Sequence, residues 1–192
     1  MIGNDIIDIA YTKKTTDWQR RGFLKKVFSD AEQDIISEAE DAFAAVWRLW
    51  SMKEAAYKSY LQKGGLPFNS PARIAIKLTD TTFGSAEIGE FYQELRTDQA
   101  DDYIASYTQP PAELKQVNQV FNLSKNDPAT QSAETRKVLI QRLGQDYHLE
   151  EKELSISKNL PGPPELYLGK QKLKIAFSMS HHGVFGVFSF LD

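Results

Sequence analysis

Two charged side chains, Glu54 and Lys58, interrupt an apolar helical stripe in the first third of the chain. At about 100° per helix position, Glu54 lies near the middle of that stripe, with Lys58 about 40° away. The apolar positions are Phe43, Trp47, Trp50, Tyr57 and Leu61. An i,i+4 ion pair on a solvated face has polar neighbours and contributes only about 0.2–0.5 kcal/mol. A carboxylate among aromatic rings instead needs a metal, a counter-charge or a ligand, so a surface pair and a functional site both remain open.

Two further carboxylates lie in an isoleucine-rich segment at the N-terminus, residues 2–9, which we predict to be a buried strand. Strand alternation puts Asp5 and Asp8 on opposite faces. Asp8 fits a strand end or a helix cap. Asp5 is flanked by apolar residues, so we expect it to have a partner for its charge.

Adjacent histidines, His181 and His182, precede Gly183 at a predicted turn between the last two strands. They fit three roles: exposed turn residues, a phosphate contact beside Ser180, or a zinc pair. A zinc pair is the least favoured role, because His148 is the only other histidine and adjacent side chains on a strand diverge.

A basic cluster, formed by Arg20, Arg21, Lys25 and Lys26, stands out in a chain with a net charge of −3. It fits either a solvated helix face or a docking surface for an acidic partner.

Composition narrows the functional classes. The 192 residues fit one medium domain or two small ones, and the 41% hydrophobic and 26% charged shares are those of an ordinary soluble protein. The absence of cysteine excludes disulfides, thiolate zinc sites and a cysteine nucleophile. No apolar run is long enough to span a membrane and no signal-peptide pattern is present, so we expect a cytoplasmic protein without membrane contacts. We find no internal sequence repeat.

The elements that must position these residues follow an α+β pattern, an antiparallel sheet packed on a long central helix. We predict that this helix spans residues 39–62, packs its aromatic side on the sheet, and is followed by a second helix at 133–147. Strands are expected at 73–78, 86–95, 102–108, 154–157, 166–168, 173–179 and 184–190, with a turn at 161–164. Residues 114–123 fit either a strand or a helix.

Three segments together resemble the 4'-phosphopantetheinyl transferase superfamily. They are residues 2–9 (Ile-Gly-Asn-Asp-Ile-Ile-Asp-Ile), 50–58 (Trp-Ser-Met-Lys-Glu-Ala-Ala-Tyr-Lys) and 178–181 (Ser-Met-Ser-His). The second string is the most specific, and the order resembles the short holo-acyl-carrier-protein synthase branch. The resemblance covers about 1–80 and 154–192, so we predict one transferase-like domain, 1–192, with an inserted hairpin and helix at about 80–153.

This resemblance implies Mg²⁺-dependent transfer of the 4'-phosphopantetheine arm of coenzyme A to a carrier-protein serine, with release of adenosine 3',5'-bisphosphate. The implied metal ligands are Asp5, Glu54 and, if the strand bulges or ends there, Asp8. Lys53, Lys58, Ser180 and His181 are the implied coenzyme A contacts, and Glu54, Lys58 and His181 the implied catalytic residues. The general base is either Glu54, acting through a metal-bound water, or a water alone.

The implied partner is an acidic apo acyl carrier protein, for which the basic cluster is the expected docking surface. Two other functions remain open: a non-catalytic carrier-protein or coenzyme A binding module, and a nucleic-acid-binding domain using Trp18 and Phe23. The net negative charge of the chain disfavours a nucleic-acid-binding function. The chain is longer than members of the short branch and shorter than members of the two-repeat branch, so both a homotrimer and a monomer remain open. The sequence also does not identify the biosynthetic pathway of the carrier protein.

Overall fold

The computed structural model describes residues 1–158 and 162–192, so part of the predicted turn at 161–164 lies outside the described residues. The helices are α1 (Ile9–Thr15), α2 (Phe23–Val27), α3 (Asp30–Glu38), α4 (Ala42–Gln62) and α5 (Pro128–Tyr147). The strands of the first half are β1 (Asn4–Asp8), β2 (Ala75–Leu78), β3 (Phe83–Ile88), β4 (Phe91–Gln99) and β5 (Tyr103–Thr108). Those of the second half are β6 (Gln116–Asn122), β7 (Leu154–Lys158), β8 (Pro164–Leu168), β9 (Gln171–Lys172), β10 (Phe177–His182) and β11 (Phe185–Leu191).

Three antiparallel sheets organise the described strands. The first has five strands in the order β1-β5-β4-β3-β2, the second has the order β10-β11-β6, and the third has the order β7-β8-β9. Helix α4 packs against β1 and β5 of the first sheet, and α5 packs against β10 and β11. These features confirm the predicted α+β class with an antiparallel sheet on a long central helix.

The two halves of the chain share a pattern of connections. In each half, a strand precedes a long helix, and the last strand pairs with that first strand and with the strand before it. Thus β5 lies between β1 and β4, while β11 lies between β6 and β10. This repetition exists in the topology although we found none in the sequence. Strands β3 to β5, which lie largely within the predicted inserted segment, belong to the sheet of β1.

Helix α4 faces the sheet with a different side from the one we predicted. Its fully buried positions include Leu49, Met52 and Ala56, which lie about 140–160° from Glu54 around the helix axis. Trp50 and Tyr57 are only partly buried. The prediction that the aromatic side packs on the sheet was therefore wrong for most of that side. Small and aliphatic side chains allow closer contact with the strands, and the aromatic rings line clefts instead.

Glycine at position 3 allows β1 to approach this helix. A Cβ atom at Gly3 would lie 1.9 Å from the carbonyl oxygen of Ala55, so any larger residue would push the strand away from α4. Asp5 follows on the same side of β1. The close contact therefore brings the strand carboxylate next to the charged residues of α4.

Two predicted strands differ from the structure. The segment 86–95 is divided between β3 and β4 by a turn at Gly89, where φ is +58°. The segment 173–179 forms a strand only from Phe177, although Leu173 and Ile175 pack against the hydrophobic cluster around Phe188 and Phe190. The C-terminal ends of the two long helices agree with the predictions, whereas α4 begins at Ala42 and α5 at Pro128 instead of at 39 and 133. Among the described residues, no helix has both the length and the apolar character needed to cross a membrane.

Candidate functional site

The centre of the candidate site is a hydrogen-bonded group that joins β1, α4 and β10. The Lys58 ammonium lies 3.1 Å from Asp5 Oδ1 and 2.9 Å from Ser180 Oγ, and it donates to the Asn4 carbonyl oxygen at 2.7 Å. Ser180 Oγ also donates to Asp5 Oδ1 at 2.9 Å. The lysine charge and the hydroxyl compensate Asp5, which is only 8% exposed. The structure thus brings three sequence-predicted residues, distant in the chain, to one point.

Glu54 lies next to this group without joining it. Among the described residues, no side chain or backbone N–H donates a hydrogen bond to its carboxylate, and no cation lies within ion-pair distance. Burial, with the charge of Asp5 as the second cause, raises the pKa of Glu54 to about 7, while Lys58 acts in the opposite direction. Two carboxylates held close in a partly buried site favour a divalent cation or a proton between them.

The two histidines make different contacts, although both line the central cleft described below. His181 faces the clefts described below. Burial, followed by the charges of Lys58, His182 and Arg136, lowers the pKa of His181, so its imidazole is favoured in the neutral form. His182 instead accepts the backbone N–H of Asp8 at Nδ1, at 3.0 Å. His182 is therefore a structural contact between β10 and β1.

Asp8 is a capping residue. Its Oδ1 accepts the backbone N–H of Tyr11 at the start of α1, and its Oδ2 accepts the backbone N–H of Val184 in the β10–β11 turn. A Cβ atom at Gly183 would lie 2.0 Å from Asp8 Oδ2, so this turn requires glycine. The structure does not bring Asp8 to Asp5 and Glu54, because the regular strand points successive odd and even positions to opposite faces. The predicted metal role of Asp8 is corrected to a helix cap.

Lys53 is also separate from the site. Its ammonium forms a 2.8 Å ion pair with Glu32, with both side chains 1% exposed, and donates to the carbonyl oxygens of Pro71 and Ile74. Burial lowers the pKa of Lys53, and Glu32 opposes that effect. All three ammonium hydrogens have acceptors within the protein, so the structure does not place Lys53 where a coenzyme A phosphate contact was predicted.

The basic cluster is divided by the fold. Arg20 lies near Glu54, where its guanidinium stacks on the Phe23 ring at 4.4 Å and donates to the Asp17 carbonyl oxygen. Arg20 and Lys26 line a cleft that also contains Glu54, whereas Arg21 and Lys25 are exposed beside this cleft. Two of the four cations therefore line the cleft that contains Glu54, and the other two do not.

Three adjoining clefts meet at these residues. The α4–α5 cleft is lined by Lys58, Leu61, Gln62, Ser132, Thr135, Arg136, Gly162, Pro163, Pro164, Phe177, Ser178, Met179 and His181. The central cleft includes Asp5, Arg20, Trp50, Glu54 and His181. The aromatic cleft includes Arg20, Phe23, Lys26, Trp50, Glu54, Tyr57 and Phe68. His181 is shared by the first two clefts and Glu54 by the last two, so the carboxylates lie between two separate entrances.

Sequence reasoning missed two contributors. Asn4 is fully buried, and its amide donates to the Ser178 carbonyl oxygen and to Ser189 Oγ, which ties β1 to the second sheet. Arg136 reaches the α4–α5 cleft from a helix that we had assigned to an insertion. A polar residue inside an apolar strand could have indicated the buried role of Asn4. No sequence pattern marks Arg136, whose place in the cleft depends on how α5 packs.

The donor set fits a hard divalent cation bound with substrate phosphates. In the described ranges, no group of three or more His, Asp or Glu side chains is arranged to hold a metal ion. Asp5 and Glu54 supply two carboxylates, and Mg²⁺ characteristically takes one or two carboxylates together with waters and phosphates. A metal here would therefore depend on the substrate for part of its coordination.

Comparisons with known proteins identify the family. The family model for the 4'-phosphopantetheinyl transferase superfamily matches residues 1–108, which include Asp5, Glu54 and Lys58. A search of curated proteins finds no match. Among solved structures, the holo-(acyl-carrier-protein) synthase of Thermotoga maritima is similar, with a TM-score of 0.43 and 11% identity, covering 86% of this chain and 81% of that chain. Because the family model matches more than half of its residues, the chain belongs to the 4'-phosphopantetheinyl transferase superfamily.

Proposed function

We propose that this protein transfers the 4'-phosphopantetheine arm of coenzyme A to a serine of an apo acyl carrier protein, in a Mg²⁺-dependent reaction. The observation that carries this proposal is the meeting of Asp5, Glu54 and Lys58 between two entrances to one site. Such an arrangement suits a transfer between two large substrates, because each substrate can reach the same reacting atoms from its own side.

The reaction assigns a role to each group. The carrier serine oxygen attacks the phosphorus that bears pantetheine, and the bond from that phosphorus to the leaving phosphate oxygen breaks. Adenosine 3',5'-bisphosphate leaves, and the serine proton passes to a base. Either Glu54 or a water would accept that proton. The pKa of about 7 belongs to Glu54 in metal-free protein and would fall once the carboxylate held Mg²⁺.

Asp5 and Glu54 would hold Mg²⁺, which when bound neutralises the charge of the pyrophosphate. Lys58 keeps Asp5 oriented through its 3.1 Å contact. Lys58 also lines the α4–α5 cleft, where its positive charge would attract a phosphate. His181, favoured as the neutral imidazole, offers an N–H donor to a phosphate oxygen in the same cleft. Ser180 holds both Lys58 and Asp5 in place.

The two entrances suggest how the substrates divide. The α4–α5 cleft combines Lys58 and His181 with apolar residues, which suits the nucleotide and its phosphates. The aromatic cleft carries Arg20 and Lys26 at its edge, with Arg21 and Lys25 beside it, which suits an acidic carrier protein. The proposed compartment is the cytoplasm.

Intact-protein mass spectrometry tests this function. The protein is incubated with coenzyme A, Mg²⁺ and each of several apo carrier proteins, and a carrier should gain the mass of one phosphopantetheine arm. Glu54→Gln should abolish the gain, whereas Glu90→Gln, which makes the same charge change at an exposed turn, should not. No gain with any carrier would reject the enzyme and favour a non-catalytic binding module. An equal gain from Glu54→Gln would reject the assigned site.

A further inference from the structure

The α4–α5 cleft has walls from both halves of the chain. Helix α4 contributes Lys58, Leu61 and Gln62, and helix α5 contributes Ser132, Thr135 and Arg136. The α5 positions are spaced i, i+3 and i+4, so they share one face of the helix. Helix α5 lies outside residues 1–108, the part of the chain that matches the family.

The orientation of α5 is fixed by buried contacts. Gln131 Nε2 donates to the Gly183 carbonyl oxygen at 2.7 Å, which ties the first turns of the helix to the β10–β11 turn. Thr135 is 1% exposed, and Leu139 is fully buried in the hydrophobic cluster around Phe188 and Phe190. Because rotation of the helix would expose both side chains, Arg136 is held at the cleft.

The charge at this cleft favours an anion. Arg136 has an exposed side chain, and within the described part of the chain it makes no hydrogen bond or ion pair. Its positive charge is one of the causes that lower the pKa of His181, so the guanidinium acts on the imidazole across the cleft. None of the described residues lining the cleft is acidic.

The rest of the lining is apolar. Leu61, Pro163, Pro164, Phe177 and Met179 cover the cleft between these cationic and polar groups. A ligand that fits this surface carries phosphate groups on an organic body with apolar faces, which is the chemistry of a nucleotide. Guanidinium groups bind phosphate oxygens through paired, charge-assisted hydrogen bonds.

We infer that Arg136 binds a phosphate group of the nucleotide part of coenzyme A, so that the second half of the chain completes the substrate site of the first. This inference rests on the proposed function, because it names a contact of the same substrate. It makes Arg136 a determinant of coenzyme A affinity. The phosphate group that Arg136 binds is either part of the pyrophosphate of coenzyme A or its 3'-phosphate.

Calorimetric titration of coenzyme A into the full-length protein tests this inference without requiring turnover. Arg136→Gln should raise the Kd by about tenfold, the usual effect of losing one charge-assisted hydrogen bond. Lys137→Gln is the matched control, because it removes the same charge from a neighbouring exposed residue that does not line the cleft. Its Kd should stay within about twofold of the wild-type value, since exposed charges away from the ligand act weakly. Unchanged melting temperatures would show that both variants fold.

Dephospho-coenzyme A distinguishes the two phosphates. If Arg136 binds the 3'-phosphate, wild type and Arg136→Gln should bind this analogue equally, and if it binds the pyrophosphate, the tenfold difference should persist. Equal Kd values for coenzyme A in Arg136→Gln and Lys137→Gln would overturn the inference and leave the proposed function standing, provided that wild type binds and transfers. Failure of wild type to bind coenzyme A would overturn both.

Discussion

The Lys58 ammonium lies 3.1 Å from Asp5 Oδ1 and so connects the central helix to the first strand. Ser180 Oγ contacts both groups, which adds a strand from the other end of the chain. Glu54, one helical turn before Lys58, remains without a hydrogen-bond partner among the described residues. The pairing thus compensates one carboxylate and leaves the other available for a proton or a cation.

The coupling between the two carboxylates predicts the effect of Asp5→Asn. The negative charge of Asp5 raises the pKa of Glu54, so its removal should lower that pKa from about 7 toward the ordinary value. A ¹³C NMR titration of the Glu54 carboxyl in metal-free protein measures this change. Transfer should fall by about a hundredfold, because one of two metal-binding carboxylates is lost. Asp101→Asn, at an exposed turn, is the charge-matched control, and an unchanged Glu54 pKa would show that the carboxylates do not interact.

The raised pKa of Glu54 predicts how stability depends on pH in metal-free protein. A carboxyl whose pKa is about 7 when folded and 4.5 when unfolded favours folding in its protonated form. The native state therefore binds more protons between these values, and stability falls as the pH rises through this window, by about 3 kcal/mol in total.

Urea unfolding at pH 5 and pH 8 in the presence of a chelator measures this effect against Glu54→Gln, which keeps the uncharged form at both values. The histidines contribute equally to both proteins and cancel in the difference. Wild type should lose about 2–3 kcal/mol relative to the variant between the two pH values. Mg²⁺ should restore part of the loss at pH 8, since it binds the deprotonated carboxylate. A parallel pH dependence in both proteins would contradict the assigned pKa.

The buried Lys53–Glu32 pair predicts a structural role for Lys53. Lys53→Met should lower the free energy of unfolding by about 3–5 kcal/mol, because it leaves Glu32 buried without its counter-charge. The double variant Lys53→Met, Glu32→Gln should regain part of that stability. Lys77→Met, which breaks an exposed ion pair with Glu87, should cost less than about 1 kcal/mol. Chemical denaturation measures all three, and a Lys53→Met variant of wild-type stability with weakened coenzyme A binding would restore the phosphate role.

The position of Arg20 at the aromatic cleft predicts a selective effect on the carrier protein. Arg20→Glu should raise the KM for an acidic carrier by about tenfold and leave the KM for coenzyme A within about twofold, since the charge acts on one substrate. Added salt should weaken carrier binding to wild type more than to the variant. Lys170→Glu, in the exposed β8–β9 turn, is the control for net charge. An equal rise in KM for both variants would reject a specific docking surface.

The sequence by itself determined the chemical groups of the site and the long helix that carries two of them. Asp5, Glu54 and Lys58 were singled out because charged residues within apolar periodic segments need partners, and this need is visible without coordinates. Ser180 and His181 were assigned through the resemblance to the transferase superfamily. The C-terminal ends of both long helices followed from local signals, which depend on residues only a few positions apart.

Tertiary structure alone decided which predicted residues share the site. Lys53 and Asp8 match the sequence pattern as well as Glu54 and Asp5 do, yet one is buried with Glu32 and the other caps α1. The side of α4 that meets the sheet, the repeated topology and the placement of Arg136 depend on contacts between segments far apart in the chain. Such contacts are fixed by the packing of whole helices and strands, which short-range periodicity does not encode.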